Sequence, residues 1–159
     1  MTKKISESCR NTPYNDLYQT CERTAAKLCI YPGSSLVQDL SAKLGLEATI
    51  ASNSGQKIIT RLGRERIAPR TVWIYSSEKF VNSKDLRVHL DWLLEVIEPR
   101  IECLAEESSQ PDTRLFVSCV WWSANGNGGP TLWPNQMLRL STLGLELNFE
   151  VQFHGSDDD

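Results

Sequence analysis

The sequence predicts an α+β fold: a two-layer sandwich in which helices cover one face of a mainly antiparallel sheet, ferredoxin-like or related. Three observations predict it. The first is the order of patterns along the chain: strand, helix, one or two strands, long helix, strand, short helix, strand. The second is the segment from Arg114 to Trp122, which is apolar on both faces, as a central strand requires. The third is the final strand. There Leu145, Leu147, Phe149, Val151 and Phe153 alternate with Glu146, Asn148, Glu150, Gln152 and His154, so one face suits a core and the other meets water or a partner.

Bulk properties bound the answer. A chain of 159 residues with 40% hydrophobic and 23% charged residues can bury one core of ordinary domain size. A net charge of −3 argues against general nucleic-acid affinity, which rests on neutralising phosphates. The first ten residues hold a basic dipeptide, Lys3-Lys4, with no apolar run after it, so no signal peptide is read there. No stretch reaches the length of a membrane span. The five cysteines are odd in number and form no C-x-x-C pair. Cys29, Cys103 and Cys119 read as small apolar core filler in a reduced, cytoplasmic setting. No metal and no cofactor is expected.

The elements follow in order. Residues 1–22 are polar and aperiodic and read as a flexible or loosely docked arm. Residues 23–154 read as a single domain, and 155–159 as an acidic tail. Ala25 to Tyr31 is the first strand, broken by Pro32-Gly33. Ser35 and Gln38 have the spacing of a capping box, followed by Leu36, Leu40 and Leu44 at helical intervals and a stop at Gly45. Lys57 to Arg61 reads as a short edge strand, and Arg70 to Ser76 as a firmer one. The pairing and order of the strands within 48–76 are left open. The long helix begins after Ser83, carries Leu86, Leu90, Leu93, Ile97, Ile101 and Leu104 on one stripe, and should kink at Pro99. Pro134 suits the first turn of the last helix, which Gly144 ends. Leu44-Gly45-Leu46-Glu47 and Leu143-Gly144-Leu145-Glu146 echo one another as helix stops.

Several of these residues carry a family resemblance. The Leu44-Gly45-Leu46 stop, the Trp73 strand ending Ser76-Ser77-Glu78, and His89-Leu90-Asp91-Trp92-Leu93-Leu94 with Glu98-Pro99 contribute. Most specific is Trp122-Ser123 through Gly126 and Gly128-Gly129-Pro130, followed by Leu143-Gly144-Leu145. From about Ala25 to Phe153 the chain resembles the bacterial proteins grouped as domain of unknown function 4279. The resemblance implies a shared fold. It implies no reaction and supplies no catalytic residues.

Candidate binding residues cluster in three places. The glycine loop, with Asn125, Gly126, Asn127, Gly128 and Gly129, could turn backbone N–H groups toward an anion ahead of a helix. It lacks the Gly-Lys-Ser/Thr of a phosphate loop and has Thr131 where a dinucleotide fingerprint wants glycine. A strand-to-helix turn with positive φ angles also explains it and is the preferred reading. Trp122 and Trp133 flank the loop, and with Asn127 they form the rim of a surface that continues onto the polar face of the last strand, Asn148, Glu150 and Gln152. Trp133 could instead pack back on the core as a lid. Arg61, Arg64, Arg66 and Arg70 make a basic segment suited to phosphate or an acidic partner, or else a solvated hairpin. His89 and Asp91 do not share a helix face, and no triad order, nucleophile elbow or paired carboxylate appears.

The expectation is therefore a non-catalytic module that binds another protein; an immunity- or antitoxin-like protein is one concrete form. The alternative is a small-molecule or nucleotide site at the glycine loop, reached by Arg70 or His89. Nucleic acid and membrane are not expected partners, and a homo-oligomer is open.

Overall fold

A computed structural model describes residues 12–154. Strands β1 (Cys21–Tyr31), β2 (Ile50–Ser52), β5 (Val72–Ser76), β6 (Arg114–Ser123) and β7 (Glu146–Gln152) form one sheet in the order β2-β5-β1-β6-β7. Strands β3 (Lys57–Ile59) and β4 (Glu65–Ile67) form a separate two-stranded hairpin between β2 and β5. The helices are α1 (Val37–Leu44), α2 (Leu86–Ile97), α3 (Ile101–Ser108) and α4 (Pro134–Leu143). The result is the expected α+β arrangement, with the helical layer on one sheet face.

Alternation decides which face is covered. Ala26, Leu28 and Ile30 of β1, Trp73 and Tyr75 of β5, and Val117 and Cys119 of β6 share one face and join the helices in the core. Leu86, Leu90, Leu93, Leu94 and Ile97 of α2 are the helical half of that core, at the spacing of a single stripe. β1 and β6 are central, with buried residues on both faces. Three of the four pairings are antiparallel: β1 with β5, β1 with β6 and β2 with β5. β6 and β7 pair parallel, because α4 carries the chain back to the starting end of the sheet before β7 begins.

Local signals place the boundaries. Pro99 interrupts the long helix as expected: Glu98–Arg100 form one 3-10 turn between α2 and α3. Gly45 and Gly144 end α1 and α4 in the left-handed region, at φ 63° and 68°, so the echoed stops share one geometry. The expected capping box at Ser35 does not form. The N-cap of α1 is Leu36, and the side chain of Asn53, at the far end of β2, accepts from Val37 N–H at 3.0 Å. A neighbouring strand thus supplies the acceptor that a local serine was expected to provide.

The region read as an arm divides. Residues 1–11 lie outside the described residues, as does the acidic tail 155–159. Residues 12–20 lie docked across α2 and the glycine loop, and Cys21 and Glu22 already belong to β1. The docking rests on buried polar groups whose positions no periodicity reveals. Arg87 Nη1 donates to the Thr12 hydroxyl at 2.6 Å, Trp133 Nε1 donates to the Thr12 carbonyl at 2.9 Å, and the Tyr14 hydroxyl donates to Asp91.

Candidate functional site

The sheet face opposite the helices carries Arg23, Lys27, Cys29 and Tyr31 of β1, Phe116, Ser118, Val120 and Trp122 of β6, and Glu146, Asn148, Glu150 and Gln152 of β7. No helix covers it. Cationic side chains lie on its aromatic rings instead: the guanidinium of Arg23 sits 3.6 Å from the Trp122 ring centroid, Arg70 4.6 Å from Tyr31 and Arg114 4.6 Å from Phe116.

One groove crosses this face. It holds about 330 Å³, and its floor runs from Ile50 on β2 through Ser76 on β5, Lys27 on β1 and Trp122 on β6 to Glu150 and Gln152 on β7. Arg61, at the turn between β3 and β4, reaches its wall, so the hairpin stands beside the sheet as one side of the groove. Thr49, Glu78 and Lys79 complete the lining.

The charges in the groove are unevenly satisfied. Glu78 lies 3.6 Å from Arg23, and Glu150 accepts from the Ser118 hydroxyl at 2.6 Å. Lys27, Arg61 and Lys79 form no ion pair among the described residues. Three cations therefore face the groove together with two carboxylates, of which Glu78 lies near Arg23 and Glu150 takes a hydroxyl on one oxygen only. Ser76 is tied into a turn, accepting from Glu78 N–H at 3.2 Å. No histidine or cysteine lines the groove. The arrangement offers positive charge, hydrogen bonds and one indole; it gathers recognition groups rather than a nucleophile with its base. A larger depression of about 610 Å³ beside α1 is lined mainly by small and aliphatic groups with the single carboxylate Glu47, and brings no cation together.

The expected binding residues are thus partly assembled and partly dispersed. Trp122, Glu150, Gln152 and Arg61 come from two of the separate clusters and meet in the groove. Asn148 sits two residues from Glu150 on the same face of β7. Arg64 and Arg66 are exposed on the hairpin, and Arg70 is held over Tyr31, at the end of the sheet away from the glycine loop. Lys27 and Lys79 were missed. The signal for Lys27 is a lone charge inside an otherwise apolar strand, between Ala25 and Cys29.

The glycine loop and Trp133 have other surroundings. Gly126 and Gly128 adopt φ 77° and 79°, as a turn built on glycine requires. The space above Gly128 is taken: a Cβ there would overlap the Thr20 hydroxyl, and the Tyr18 hydroxyl donates to Gly129 C=O at 3.3 Å. Asn125 accepts from Asn127 N–H, and Asn127 C=O accepts from the Ser123 hydroxyl at 2.8 Å, so the loop binds itself. Trp133 is 3% exposed and packs as a lid against Tyr14, with ring centroids 4.5 Å apart. Of the rim expected from Trp122, Asn127 and Trp133, only Trp122 reaches the groove.

Two buried polar clusters stand apart from the groove. Ser77 is fully buried and its hydroxyl lies 2.7 Å from His89 Nδ1, while His89 Nε2 lies 2.9 Å from the Ser83 carbonyl. A carbonyl only accepts, so Nε2 carries the proton and the Ser77 hydroxyl donates to Nδ1. Ser77 in turn accepts from Ala26 N–H at 2.9 Å. This serine–histidine pair is satisfied on every side and fixes α2 to β1. Burial lowers the His89 pKa and keeps the ring neutral. The other cluster is Asp85 with Arg87, joined at 2.6 Å and almost wholly buried. Burial alone would raise the Asp85 pKa, but hydrogen bonds from Arg87 and from the backbone of Asn15 and Arg87 hold it below the ordinary carboxylate value. The thiols of Cys21 and Cys29 are raised by burial to about 11 and 12, which leaves them protonated and unreactive near neutrality.

Residues 21–154 match a family model described as "Domain of unknown function (DUF4279)". Among curated proteins and solved structures, nothing matches the chain. Among the described residues no group of histidine, cysteine or carboxylate side chains could hold a metal ion, and no helix is long and apolar enough to cross a membrane.

Proposed function

Since the chain belongs to the DUF4279 family, a membership that carries no assigned activity, we propose from its own geometry that it is a non-catalytic protein-binding module. It takes an acidic chain segment of its partner in the groove beside the β3–β4 hairpin. One observation carries this reading: Lys27, Arg61 and Lys79 converge on a single groove, outnumber its two carboxylates and form no ion pair among the described residues, beside an indole and on a sheet face that no described helix covers. An acidic segment would supply the missing counter-charges, and Trp122 a rigid surface to pack on. The groove lining holds three cations against two carboxylates although the whole chain is acidic, so the attraction for an acidic segment is local to the groove.

The test is a titration with a fluorescent peptide rich in Asp and Glu, beside a scrambled-charge peptide of equal length carrying Lys and Arg. The acidic peptide should bind, with affinity falling as salt rises. Lys27→Glu combined with Arg61→Glu should weaken it on the order of a hundredfold or more, since each of the two lost charge-assisted contacts is worth about 1.5–3 kcal/mol. Equal behaviour of the two peptides, or an affinity indifferent to the double substitution, would sink the proposal.

A further inference from the structure

Among the described residues β7 is the terminal strand of the sheet and pairs with β6 alone, so one row of its backbone N–H and C=O groups faces outward with no strand partner among them. Of the usual guards of such an edge, β7 has two glutamates but no lysine and no proline, and its register with β6 runs without a bulge. Its apolar side chains are only partly covered, with Phe149 47% and Val151 64% exposed, and Phe153 just beyond the strand is 51% exposed. A seven-residue, partly apolar edge is a template for another strand.

The strand is also complementary to itself read backwards. Outward-facing backbone groups occur on every second residue, so in a two-fold antiparallel pairing the symmetry axis must pass through a residue position. Centred on Phe149, the pairing sets Leu147 opposite Val151 of the second copy, Asn148 opposite Glu150, and Glu146 opposite Gln152. Every carboxylate then meets a carboxamide, and Phe149 meets its own copy. Shifting the axis to Asn148 would set Glu146 against Glu150; shifting it to Glu150 would set that carboxylate against itself. Glu150 is prepared for the first arrangement: Ser118 occupies Oε1, which leaves Oε2 to accept from the Asn148 amide across the axis.

We propose that the chain forms a two-fold dimer by antiparallel pairing of β7 with β7 of a second copy, in the register centred on Phe149. Opposed residues in such a pairing lie on the same sheet face. The two open faces therefore continue into one another, and both hairpin grooves look to the same side. The dimer rests on the strand edge and is tested without any groove ligand, although Glu150 and Gln152 belong to both the edge and the groove lining.

The test is sedimentation equilibrium of the full chain from about 1 µM to about 1 mM, the range in which edge pairing would be read. Wild type should approach twice the 18.0 kDa chain mass. Asn148→Glu places like charges opposite at two symmetric positions and should weaken the dimer, whereas Asn148→Lys places opposite charges there and should tighten it. Each change should be on the order of two- to thirtyfold. Both substitutions lie on the polar face, and far-UV circular dichroism confirms that each variant folds. A single species of chain mass throughout the range, or any ranking of the three dissociation constants other than Asn148→Lys tightest and Asn148→Glu weakest, overturns the pairing.

Discussion

Arg87 carries a charge withdrawn almost completely from water, and its five N–H donors are divided among three neighbours. Nε and Nη2 grip Asp85, at 2.9 and 2.6 Å. Nη1 and Nη2 bind Thr12 and Pro13, and the guanidinium lies 5.0 Å from the Trp133 ring. Truncation would leave Asp85 buried without its counter-ion and release residues 12–18. Arg87→Ala should destabilise the fold by about 3–5 kcal/mol in urea unfolding, because the cost is that of an uncompensated buried charge. Replacing Asp85 and Arg87 together by apolar residues should cost less than Arg87→Ala alone. His89 makes a pH prediction. Its folded pKa lies below the ordinary 6.5, so the unfolded chain takes up the proton first as pH falls. The stability that depends on neutral His89 is present above about pH 6.5 and is lost below it, toward the depressed folded value. The slope should approach about 1.4 kcal/mol per pH unit. His89→Gln should flatten that slope between pH 7 and pH 5 in a series of denaturant titrations.

At the scale of elements, the patterns that recur locally were the legible ones. The α2 stripe, the Pro99 break and the two glycine stops follow from spacing and backbone chemistry within one or two turns of helix. Elements that need a distant partner were not. Ser35 and Gln38 satisfy the local rule for a cap, yet Asn53 takes the position from across a loop. The stretch Lys57 to Arg61 reads as an edge strand because its residues favour extended backbone, but its partner is β4 rather than the main sheet. That hairpin contributes nothing to the core cluster, and its apolar residues Ile59, Leu62 and Ile67 are exposed. The hydrogen bonds that close its base, Gly55 N–H to Ala68 C=O and Ala68 N–H to Gln56 C=O, lie outside residues 57–67. Replacing residues 57–67 by a short Gly-Ser linker should therefore leave the unfolding midpoint nearly unchanged while abolishing the acidic-peptide signal. Loss of the cooperative transition would show that the hairpin is structural instead.

For the whole molecule, the two sheet faces divide the work. One is sealed by α2 and its neighbours into a core containing Trp73 and the leucines of four helices. The other keeps polar residues on both sides of a buried centre, and its aromatic rings are covered by arginines rather than by another layer. This asymmetry makes the open face available for binding. It also explains how a chain with net charge −3 presents cations in one place: the groove takes Lys27, Arg61 and Lys79 from three segments distant in sequence.

The sequence by itself determined the α+β class, the position of the central strand, the helix stops and the polar alternation of β7, because each depends on spacing within a single element. It also marked Trp122, Glu150, Gln152 and Arg61, though as members of unrelated clusters. Only the tertiary structure decided which of them meet. The sheet order brought β7 beside β6, and the chain path between β2 and β5 brought Arg61 of the hairpin to the groove wall. The docking of residues 12–20 placed Thr20 over Gly128 and helped to bury Trp133, which spacing does not foretell. Long-range pairing assigns neighbours, and residue spacing carries no record of it.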